Sequence, residues 1–388
     1  MSDRPTVDYD HHRDQNMFPV WKQLRESGCP VVYSENYDGF WVAARYAEIA
    51  EIARKPEVFS SEFVTVPPIL GVGEVGMPPL TSDPPDHGPL KGLLTSAFTP
   101  KRMAIIEPLV REIVASSLDA IEGRGWCEAS EEFSKVVPMY TIARLLGLPT
   151  EDDAVFTDWV RRMIEMQGSD ESFEAGFEVM EYFSELLPKR QADPGEDFIS
   201  YMTTAEIDGH RISDSDLILS SMSVFLAGID TTWSTLAHAL WHLAQDQDLQ
   251  KKLREHPELM DSAREEFLRY YAPVSVARVA KSDTEVAGCP IAAGDLVMIP
   301  FPSANRDADE FDDAETFDAE RSPNRHVAFG LGIHRCVGVN LARLELSIAL
   351  NEFLRRIPQF RLDPDHDVAW AVGPIRGPRS LRLRFDAA

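Results

Sequence analysis

One cysteine in a glycine-rich loop constrains this chain more than any other feature of its sequence. Cys336 lies in the segment Phe-Gly-Leu-Gly-Ile-His-Arg-Cys-Val-Gly, which runs directly into a helical pattern. Glycines at 330, 332 and 338 would let the backbone pass close to a flat ligand, because they carry no Cβ. The helix that follows would direct free N–H groups and its positive dipole at the sulfur. We therefore expect the sulfur to be available to a metal ion.

Charge next to the cysteine supports this interpretation. His334 and Arg335 precede Cys336, and nearby cations lower the pKa of a thiol and favour the thiolate, the form that ligates metals. The alternative is a buried, inert cysteine, because free cysteine is common in protein cores. The remaining cysteines form no Cys-x-x-Cys pair, so they indicate neither a zinc cluster nor a disulfide framework, and a reducing cytoplasm fits them best: Cys29, Cys127 and Cys289.

The composition is that of a globular chain without internal boundaries. Of its 388 residues, 44% are hydrophobic and 26% are charged, and no low-complexity run or fixed-period repeat divides them, so we expect a single domain over residues 1–388. The formal charge of −26 argues against binding nucleic acid, whose phosphates it would repel. Residues 1–14 are acidic and have no apolar core, and so predict neither a signal peptide nor a membrane anchor.

Helical periodicity dominates residues 85–270. Apolar residues recur there at spacings of three and four, which predicts helices with one face in a core. Two such stripes are expected to be core: Leu109, Val110, Ile113, Val114, Leu118 and Ile121 in the first, and Val155, Phe156, Trp159, Val160, Met163 and Ile164 in the second. Strand-like segments are short and lie mostly near the ends, at 31–33, 40–43, 296–300 and 381–385. The sequence thus predicts a mainly α-helical fold with a minor β-sheet part.

Residues 217–243 form a long segment with few charges, which could be mistaken for a membrane span. Asp230 near its middle argues against that interpretation, because a carboxylate at the centre of a bilayer is costly. A central helix buried in a large helical protein fits better, and it would be roughly 45 Å long at 1.5 Å per residue.

Within this helix, residues 227–232 read Ala-Gly-Ile-Asp-Thr-Thr. The small residues would allow a ligand against the helix. The hydroxyl of Thr231 could bond a backbone carbonyl three or four residues back and loosen the ladder of hydrogen bonds there. Asp230 could instead serve only as a cap or as the partner of a cation elsewhere in the chain.

Taken together, these motifs resemble those of the cytochrome P450 haem-thiolate monooxygenases. The cysteine segment fills the family pattern Phe-x-x-Gly-x-His-x-Cys-x-Gly from Phe329 to Gly338, and residues 227–232 match the pattern Ala/Gly-Gly-x-Asp/Glu-Thr-Thr/Ser. The resemblance covers nearly the whole chain. It implies the cytochrome P450 fold, mainly α with a minor β-sheet subdomain, and one haem b (iron protoporphyrin IX) with Cys336 as the axial ligand of the iron.

The resemblance also assigns roles to charged and hydroxyl residues. Thr231 would steady the activated oxygen and position water, while Asp230 would relay protons from solvent. Glu266 and Arg269 form the family's Glu-x-x-Arg motif, and Arg321 takes the place of the arginine that completes it. These three would brace the cysteine loop. An ordinary surface ion pair is the alternative interpretation of Glu266 and Arg269.

Haem carries two propionates, which need donors or cations where they are buried. The resemblance proposes His87, Lys91, Arg278 and His326 for this role. The chain departs from the family at Lys91, where arginine is usual, and lysine cannot make arginine's two-pronged contact with a carboxylate. Each of the four could also be a solvated surface charge. Further haem contacts implied by the family are Ala227, Gly228, Phe329, Gly330, Arg335 and Gly338.

The substrate pocket is implied by family analogy alone. It would be lined by the loop 62–80, by part of the long helix, by residues 273–276 and by residues 374–375. Glycines at 71, 73 and 76 could make the loop a lid that opens for ligand, or could simply serve turns. The residues expected in the pocket are mostly apolar or small: Ser223, Leu226, Ala227, Val274, Val276 and Ile375.

The implied activity is insertion of one oxygen atom from O2 into a small to medium, largely apolar organic substrate, with hydroxylation as the main outcome. Electrons would come from a ferredoxin with its reductase, because the chain has no Gly-x-Gly-x-x-Gly segment for a flavin or a nicotinamide. An acidic ferredoxin needs a basic patch, expected at Lys91, Arg335 and Arg343. We expect a cytoplasmic enzyme that binds neither nucleic acid nor membrane. A haem-thiolate peroxygenase, a non-catalytic haem ligand carrier and a haem-free structural protein are the alternatives.

Overall fold

The computed structural model describes residues 5–68, 76–166 and 168–386. Helices make up most of the regular structure in these ranges, which confirms the predicted balance of helix and sheet. The helices in chain order are α1 (Phe18–Glu26), α2 (Tyr46–Arg54), α3 (His87–Ala97), α4 (Pro100–Asp119), α5 (Val136–Leu145), α6 (Asp153–Val160), α7 (Asp170–Ala192), α8 (Phe198–Thr204), α9 (Asp214–Leu243), α10 (Gln247–Glu255), α11 (Met260–Tyr270), α12 (Phe301–Ala304) and α13 (Val339–Arg356).

The largest sheet has five strands in the order β1-β2-β10-β7-β3. β10 pairs with β7 antiparallel and with β2 parallel. A three-stranded sheet has the order β11-β14-β4, and the pairs β5–β6, β8–β9 and β12–β13 complete the set. The strands are β1 (Val31–Ser34), β2 (Phe40–Ala43), β3 (Phe59–Ser60), β4 (Trp126–Glu128), β5 (Glu206–Ile207), β6 (His210–Arg211), β7 (Ser275–Ala280), β8 (Thr284–Val286), β9 (Cys289–Ile291), β10 (Leu296–Pro300), β11 (Phe360–Leu362), β12 (Ala369–Trp370), β13 (Pro378–Ser380) and β14 (Arg382–Phe385).

The four predicted strands correspond to β1, β2, β10 and β14. β7, a central strand of the large sheet, was not predicted. Its sequence Ser-Val-Ala-Arg-Val-Ala lacks the alternation of apolar and polar residues that predicts a strand. In the structure, its polar residues Ser275 and Arg278 are buried. The polar residues of this strand thus face the interior, where a ligand site can use them.

α9 is the central helix and positions much of the candidate site. Ser213 caps its first turn by accepting a hydrogen bond from Asp216 N at 3.0 Å. The helix packs against α5, α7 and α13, and most of its residues are buried. It is the one helix in the described residues that is long and apolar enough to cross a membrane, and its burial supports the predicted role as a core helix.

The two predicted apolar stripes lie on α4 and around α6. Val110, Val114 and Leu118 are fully buried in a cluster that includes residues of α13. Phe156 and its partners on α6 are buried in a second cluster that includes residues of α5 and α7. Val155 is 44% exposed, contrary to the prediction. It precedes Phe156 by one residue, which is about 100° around the helix and takes it off the buried face.

Candidate active site

Backbone contacts set the shape of the cysteine loop. Phe329 O accepts a hydrogen bond from Cys336 N at 2.8 Å, which closes the loop on itself. Gly330 and Gly332 have φ of +70° and +66°, in the left-handed region that glycine adopts freely. A Cβ on Gly332 would lie 2.4 Å from Ala53 O in α2. The conformation of Gly332 and its packing on α2 therefore each favour glycine here, and the close approach of a flat ligand stays a prediction.

Cys336 lies just before α13 and is exposed as a residue, although protein surrounds its sulfur closely. Burial raises the pKa of the thiol. A hydrogen bond from Gly338 N–H and the positive charges of Lys91 and Arg335 lower it, but only in part. His334 adds no charge, because burial lowers its pKa to about 3. The expectation that the protein alone lowers the thiol pKa is therefore wrong. The positive charge of a bound metal would complete the ionisation.

α11 carries a fully buried ion pair. Glu266 and Arg269 are both 0% exposed, and Arg269 Nη2 lies 2.7 Å from Glu266 Oε1. Arg321 approaches the same carboxylate with its Nε at 3.2 Å. Arg269 also donates to the carbonyl oxygens of Asn305 and Ala314, at 2.7 and 2.8 Å. The predicted contact among the three charged residues is present, and the alternative of a surface ion pair is wrong.

Asn305 links this brace to the cysteine loop. Its carbonyl oxygen binds Arg269, and its side-chain Oδ1 accepts a hydrogen bond from Val327 N at 2.7 Å. Val327 O in turn accepts from Gly330 N at 2.9 Å. A short chain of hydrogen bonds therefore runs from α11 to the turn that precedes Cys336. Sequence reasoning missed Asn305, because no pattern in the sequence connects it with Arg269.

Four basic side chains gather beside the cysteine loop. His87 and Lys91 lie one turn apart on α3, as predicted, while Arg278 comes from β7 and His334 from the loop itself. The ring centroids of His87 and His334 are 4.4 Å apart. Arg278 and Lys91 both act electrostatically on His334. Lys91 Nζ donates to Arg335 O at 2.6 Å, next to Cys336.

This basic cluster lacks matching negative charge in the described residues. Arg278 is buried, donates to Ala277 O at 2.7 Å and makes no ion pair there, and burial lowers its pKa to about 10. Asp83, a carboxylate that acts electrostatically on Arg278, pairs with Lys281 at 2.9 Å. His87 Nε2 is buried without a hydrogen-bond partner in the described structure. Buried donors without acceptors are costly, so a ligand bearing carboxylates, such as haem with its two propionates, fits this cluster.

His326 lies apart from the basic cluster. Its Nε2 is 3.1 Å from Glu265 Oε2, and its Nδ1 accepts a hydrogen bond from Ala328 N at 3.2 Å. Arg343 shares the same carboxylate. Both ring nitrogens of His326 are engaged, so its contact with a propionate stays a prediction without support from these contacts. His334 joins the cluster instead, a role that sequence reasoning missed because it treated His334 only as a cation beside the sulfur.

The middle of α9 presents one small side chain to open space. Ala227 is exposed although Phe225 and Ile229, close to it on the helix, are buried. Thr231 Oγ1 donates to Ala227 O at 2.9 Å, which is the predicted bond, but the helix runs unbroken and its ladder is not loosened. A Cβ on Gly228 would lie 2.4 Å from Ile142 Cδ1 of α5. The small size of Gly228 therefore serves helix packing, and its contact with a ligand stays a prediction.

Asp230 pairs with Arg379 of β13. Arg379 Nη2 lies 2.5 Å from Asp230 Oδ1, and Ser234 Oγ donates to the same oxygen at 3.4 Å. Burial raises the pKa of Asp230, while Arg379 and Ser234 act to lower it. The pairing with a cation elsewhere in the chain, one of the two interpretations of Asp230, is present. Sequence reasoning could not name Arg379, which is 149 residues away.

A further buried carboxyl group, missed from the sequence, lies between α13 and α9. Glu345 on α13 is 1% exposed, and neither of its oxygens makes a hydrogen bond of regular geometry. Burial raises its pKa to about 8, and the nearby hydroxyls of Thr141 and Thr232 lower it only in part. Thr141 Oγ1 already donates to Val137 O at 2.8 Å. Glu345 is therefore a neutral acid near pH 7.

The predicted pocket residues come from three parts of the chain. Val274 and Ile375 pair in an isolated antiparallel bridge, which brings the segment after α11 to the C-terminal segment. On α9, Ser223 lies one turn before Ala227 and is buried. Leu226 lies one residue before Ala227 and is half-buried. Residues 69–75 of the predicted loop, with two of its three glycines, lie outside the described residues. Membership of a substrate pocket stays a prediction for all of these residues, including the half-buried Val276 of β7.

Comparisons with known proteins agree with this geometry. The profile of the cytochrome P450 family matches residues 172–370. The chain is 32% identical over 380 residues to the Steroid C26-monooxygenase of Mycobacterium tuberculosis, an alignment that covers 95% of this chain and 94% of that protein. It is 33% identical over 349 residues to Cytochrome P450 109 of Bacillus spizizenii, covering 87% of this chain and 83% of that protein.

The fold agrees with a solved structure as well. CYP109E1 from Bacillus megaterium, crystallised in complex with testosterone, superposes with a TM-score of 0.86 at 31% identity, covering 96% of this chain and 99% of that one. Similarity of sequence and fold thus extends over nearly the whole chain and implies a haem-thiolate cofactor and monooxygenase chemistry. With the cysteine loop, the buried brace and the motif on α9 in place, the chain belongs to the cytochrome P450 family.

Proposed function

We propose that this chain inserts one oxygen atom from O2 into a small to medium, largely apolar organic substrate, with hydroxylation as the main outcome. The observation that carries the proposal is the exposed residue Cys336 beside a basic cluster, two of whose members, His87 and Arg278, are buried. This cluster lacks matching negative charge among the described residues. A flat ligand with a metal at its centre and two carboxylates at its edge satisfies both. When bound, haem supplies the iron at which O2 is activated.

The residues that would hold haem divide into two groups. Cys336 would ligate the iron, with Phe329, Gly330, Arg335 and Gly338 forming the loop around it. His87, Arg278 and His334 would bind the propionates. Lys91 would add positive charge beside them, because its Nζ already donates to Arg335 O. Ala227 would border the other side of the ligand, since it is the exposed position in the middle of α9.

Asp230 and Thr231 would deliver the protons that allow the second oxygen atom to leave as water. Thr231 Oγ1 now donates to Ala227 O within its own helix, and rotation about its Cα–Cβ bond would release that hydroxyl for another acceptor. Asp230 would resupply the proton, because it is the carboxylate next to Thr231 in the chain. Thr231 thus needs Asp230 for repeated turnover.

The relatives narrow the substrate class. One relative is named a steroid C26-monooxygenase, and the solved structure of another holds testosterone. We propose a rigid, largely apolar substrate of about steroid size for this chain. The pocket residues fit such a molecule, because Ser223 is the one hydroxyl among Leu226, Val274, Val276 and Ile375, and burial of apolar surface would supply most of the affinity.

Electrons would enter from a ferredoxin with its reductase, docked over the cysteine loop. Arg335 and Arg54 are exposed there, and the backbone of Arg54 lies close to Gly332, since a Cβ on that glycine would be 3.3 Å from Arg54 Cα. Lys91 lies beside Arg335. Arg343, predicted as part of this patch, is largely neutralised by Glu265. We define the basic patch as Arg54, Lys91 and Arg335, and propose that it receives the acidic partner.

The chain as a whole would act as one cytoplasmic haem domain spanning residues 1–388. The net charge of −26 supports solubility and opposes contact with nucleic acid or an anionic membrane surface. The burial of α9 supports the same conclusion, because the helix that could have crossed a membrane is part of the core.

A haem-thiolate peroxygenase or a non-catalytic haem ligand carrier is the second candidate. Peroxide already carries the protons that its own cleavage needs, so a peroxygenase has little use for proton delivery. Asp230 beside Thr231, buried and held by Arg379, therefore favours the monooxygenase.

Isotope labelling tests the proposal. Purified holoprotein would be supplied with a ferredoxin, its reductase, NADH and testosterone or related steroids under ¹⁸O2. We expect one ¹⁸O atom per product molecule and none from labelled water. Product formed only from added peroxide would establish the peroxygenase, and binding of steroids without product would establish the carrier.

A further inference from the structure

We propose that Arg379 is a positioning residue for proton delivery, which holds the Asp230 carboxylate in one orientation and favours its ionised form against burial, so that it can take up protons for Thr231. The inference rests on the proposed function and deepens it. Arg379 belongs to none of the motifs that point to the cytochrome P450 family. It comes from β13, near the end of the chain, and reaches α9 from outside the helix.

The contacts around Asp230 form a closed triangle. Arg379 Nη2 lies 2.5 Å from Asp230 Oδ1, and Arg379 Nη1 donates to Ser234 Oγ at 3.2 Å. Ser234 Oγ lies 3.4 Å from Asp230 Oδ1 and sits one helical turn further along α9. The carboxylate therefore meets a cation and a hydroxyl that are themselves in contact, and its direction is set by both.

Trp233 fixes the guanidinium of Arg379. The Cζ of Arg379 lies 4.1 Å from the centroid of the Trp233 ring. The Trp233 side chain is fully buried. Trp233 Nε1 donates to Ser130 Oγ at 2.8 Å, and Ser130 Oγ donates to Pro378 O at 2.7 Å. The chain of contacts thus returns to the residue before Arg379, so the arginine is held from two sides.

Gly377 allows β13 to approach α9 closely enough for this pairing. A Cβ at Gly377 would lie 2.7 Å from Ser234 Cα, a separation that real Cβ atoms do not show. Any other residue at 377 would push the strand away from the helix. The close approach therefore occurs at the same turn of α9 that carries Asp230 and Ser234.

Arg379 is the counter-ion of Asp230, because the other charged groups near Asp230 do not favour its ionised form. Glu165, from the turn after α6, raises the pKa of Asp230, and so does burial, which is the larger cause. Lys135 ion-pairs with Glu165 and lies 3.0 Å from Glu131, so its charge is shared between two carboxylates. Arg379 is the strongest of the groups that favour the ionised form of Asp230.

Stability alone does not account for this pair. A buried ion pair contributes little net stability, because removing both charges from water offsets most of their attraction. Asp230 directly precedes Thr231, and only an ionised carboxylate can accept a proton from water. Without Arg379, Asp230 would stay protonated to higher pH and the supply of protons to Thr231 would slow.

The test compares Arg379→Met and Arg379→Lys with a matched control, Arg382→Met. Arg382 also stacks on a tryptophan, with its Cζ 4.7 Å from the centroid of the Trp126 ring, but makes no ion pair within the described residues. Haem content and the carbon monoxide spectrum are recorded first. Then kcat, KM, product per NADH and peroxide release are measured against pH in the reconstituted system.

We expect Arg379→Met to bind haem normally and to keep its KM, while kcat and product per NADH fall about tenfold and peroxide rises. The acidic limb of its kcat profile should move up by about one pH unit or more. Arg379→Lys should recover much of the loss, and Arg382→Met should match the wild type. The double variant Arg379→Met with Asp230→Asn should regain the thermal midpoint that Arg379→Met loses, but not the coupling.

Unchanged kcat, coupling and pH profile in Arg379→Met would overturn the inference, and so would equal losses in Arg382→Met. If Arg379→Met yields no folded holoprotein, Arg379→Gln is read in its place with the same expectations. The wild-type protein separates the two proposals. Failure of the wild type to bind haem or turn over substrate counts against the proposed function, whereas normal wild-type turnover with unaffected variants counts against Arg379 alone.

Discussion

At the scale of single residues, burial decides which side chains of the site carry charge. It lowers the pKa of His334 to about 3 and that of Arg278 to about 10. It raises the pKa of the Cys336 thiol and of the Asp230 carboxyl against the neighbouring cations. Each shift opposes the charged form of the group. A ligand that brings its own charges, positive at the sulfur and negative at the basic cluster, would restore the balance.

Glu345 gives a prediction that needs no substrate. Its carboxyl holds its proton to about pH 8 in the folded protein, whereas the unfolded chain ionises near 4.5. The folded state therefore loses about 1.4 kcal/mol for each pH unit between these values, relative to the unfolded state. We expect Glu345→Gln to match the wild type in thermal midpoint below pH 4.5 and to exceed it increasingly up to pH 8.

Glu352→Gln is the control for this measurement, because Glu352 is on the same helix, is paired with Arg355 and is far less buried. Its midpoint should follow the wild type at every pH. A difference in thermal midpoint between Glu345→Gln and the wild type that stays constant across the pH range would contradict the prediction. It would show that Glu345 has the same pKa in the folded and unfolded states.

Sequence reasoning at this scale identified residue types better than residue partners. Glu266 and Thr231 have the protein contacts expected of them, because their motifs are local and helical spacing fixes which groups can meet. The partner of Asp230 comes from a distant strand, and no periodicity relates the two. The charge of His334 depends on burial, which a list of neighbours in the chain does not show.

At the scale of elements, the site is held by contacts that leave no room for larger side chains. Gly228 brings α9 against α5, Gly332 brings the cysteine loop against α2, and Gly377 brings β13 against α9. The sequence predicted helices over residues 85–270, the helix after Cys336 and four of the strands. It did not predict these contacts, nor β7, whose polar residues are buried.

The brace on α11 should control loading of haem. Glu266→Gln keeps the size of the side chain but leaves Arg269 and Arg321 buried beside a neutral amide, a change that costs about 3–5 kcal/mol in typical proteins. Asn305 connects this brace to the cysteine loop by hydrogen bonds. We therefore expect the purified variant to contain less than about half as much haem per protein molecule as the wild type. The ratio of Soret to protein absorbance measures it.

Glu258→Gln serves as the control for the brace, because Glu258 lies on the turn before α11 and its side chain is 68% exposed. That variant should load haem like the wild type. Full loading of Glu266→Gln would mean that the loop keeps its shape without the brace.

At the scale of the whole molecule, charge is distributed unevenly. The chain carries a net −26, yet its basic patch of Arg54, Lys91 and Arg335 lies beside the cysteine loop. The net negative charge would repel an acidic electron donor, whereas this patch would attract it, which favours docking beside the cysteine loop.

Docking of the ferredoxin should therefore depend on ionic strength and on Arg54. We expect the KM for ferredoxin to rise several-fold between low and physiological salt, because exposed charges are screened over about 8 Å at 0.15 M. Arg54→Glu should raise this KM at low salt without changing haem content. Lys251→Glu, which alters an exposed lysine on α10, should leave it unchanged. If the KM for ferredoxin changes neither with salt concentration nor in Arg54→Glu, the docking surface lies elsewhere.

The central claim is that the sulfur of Cys336 ligates the iron of haem. The absorption spectrum of the reduced, carbon monoxide-treated protein tests it most directly, because a thiolate ligand shifts the Soret band far to the red. We predict this shifted band for the wild type and for Cys29→Ser, a half-buried cysteine outside the site, and its loss in Cys336→Ser. An unshifted band in the wild type, or a shifted band that persists in Cys336→Ser, would contradict the account.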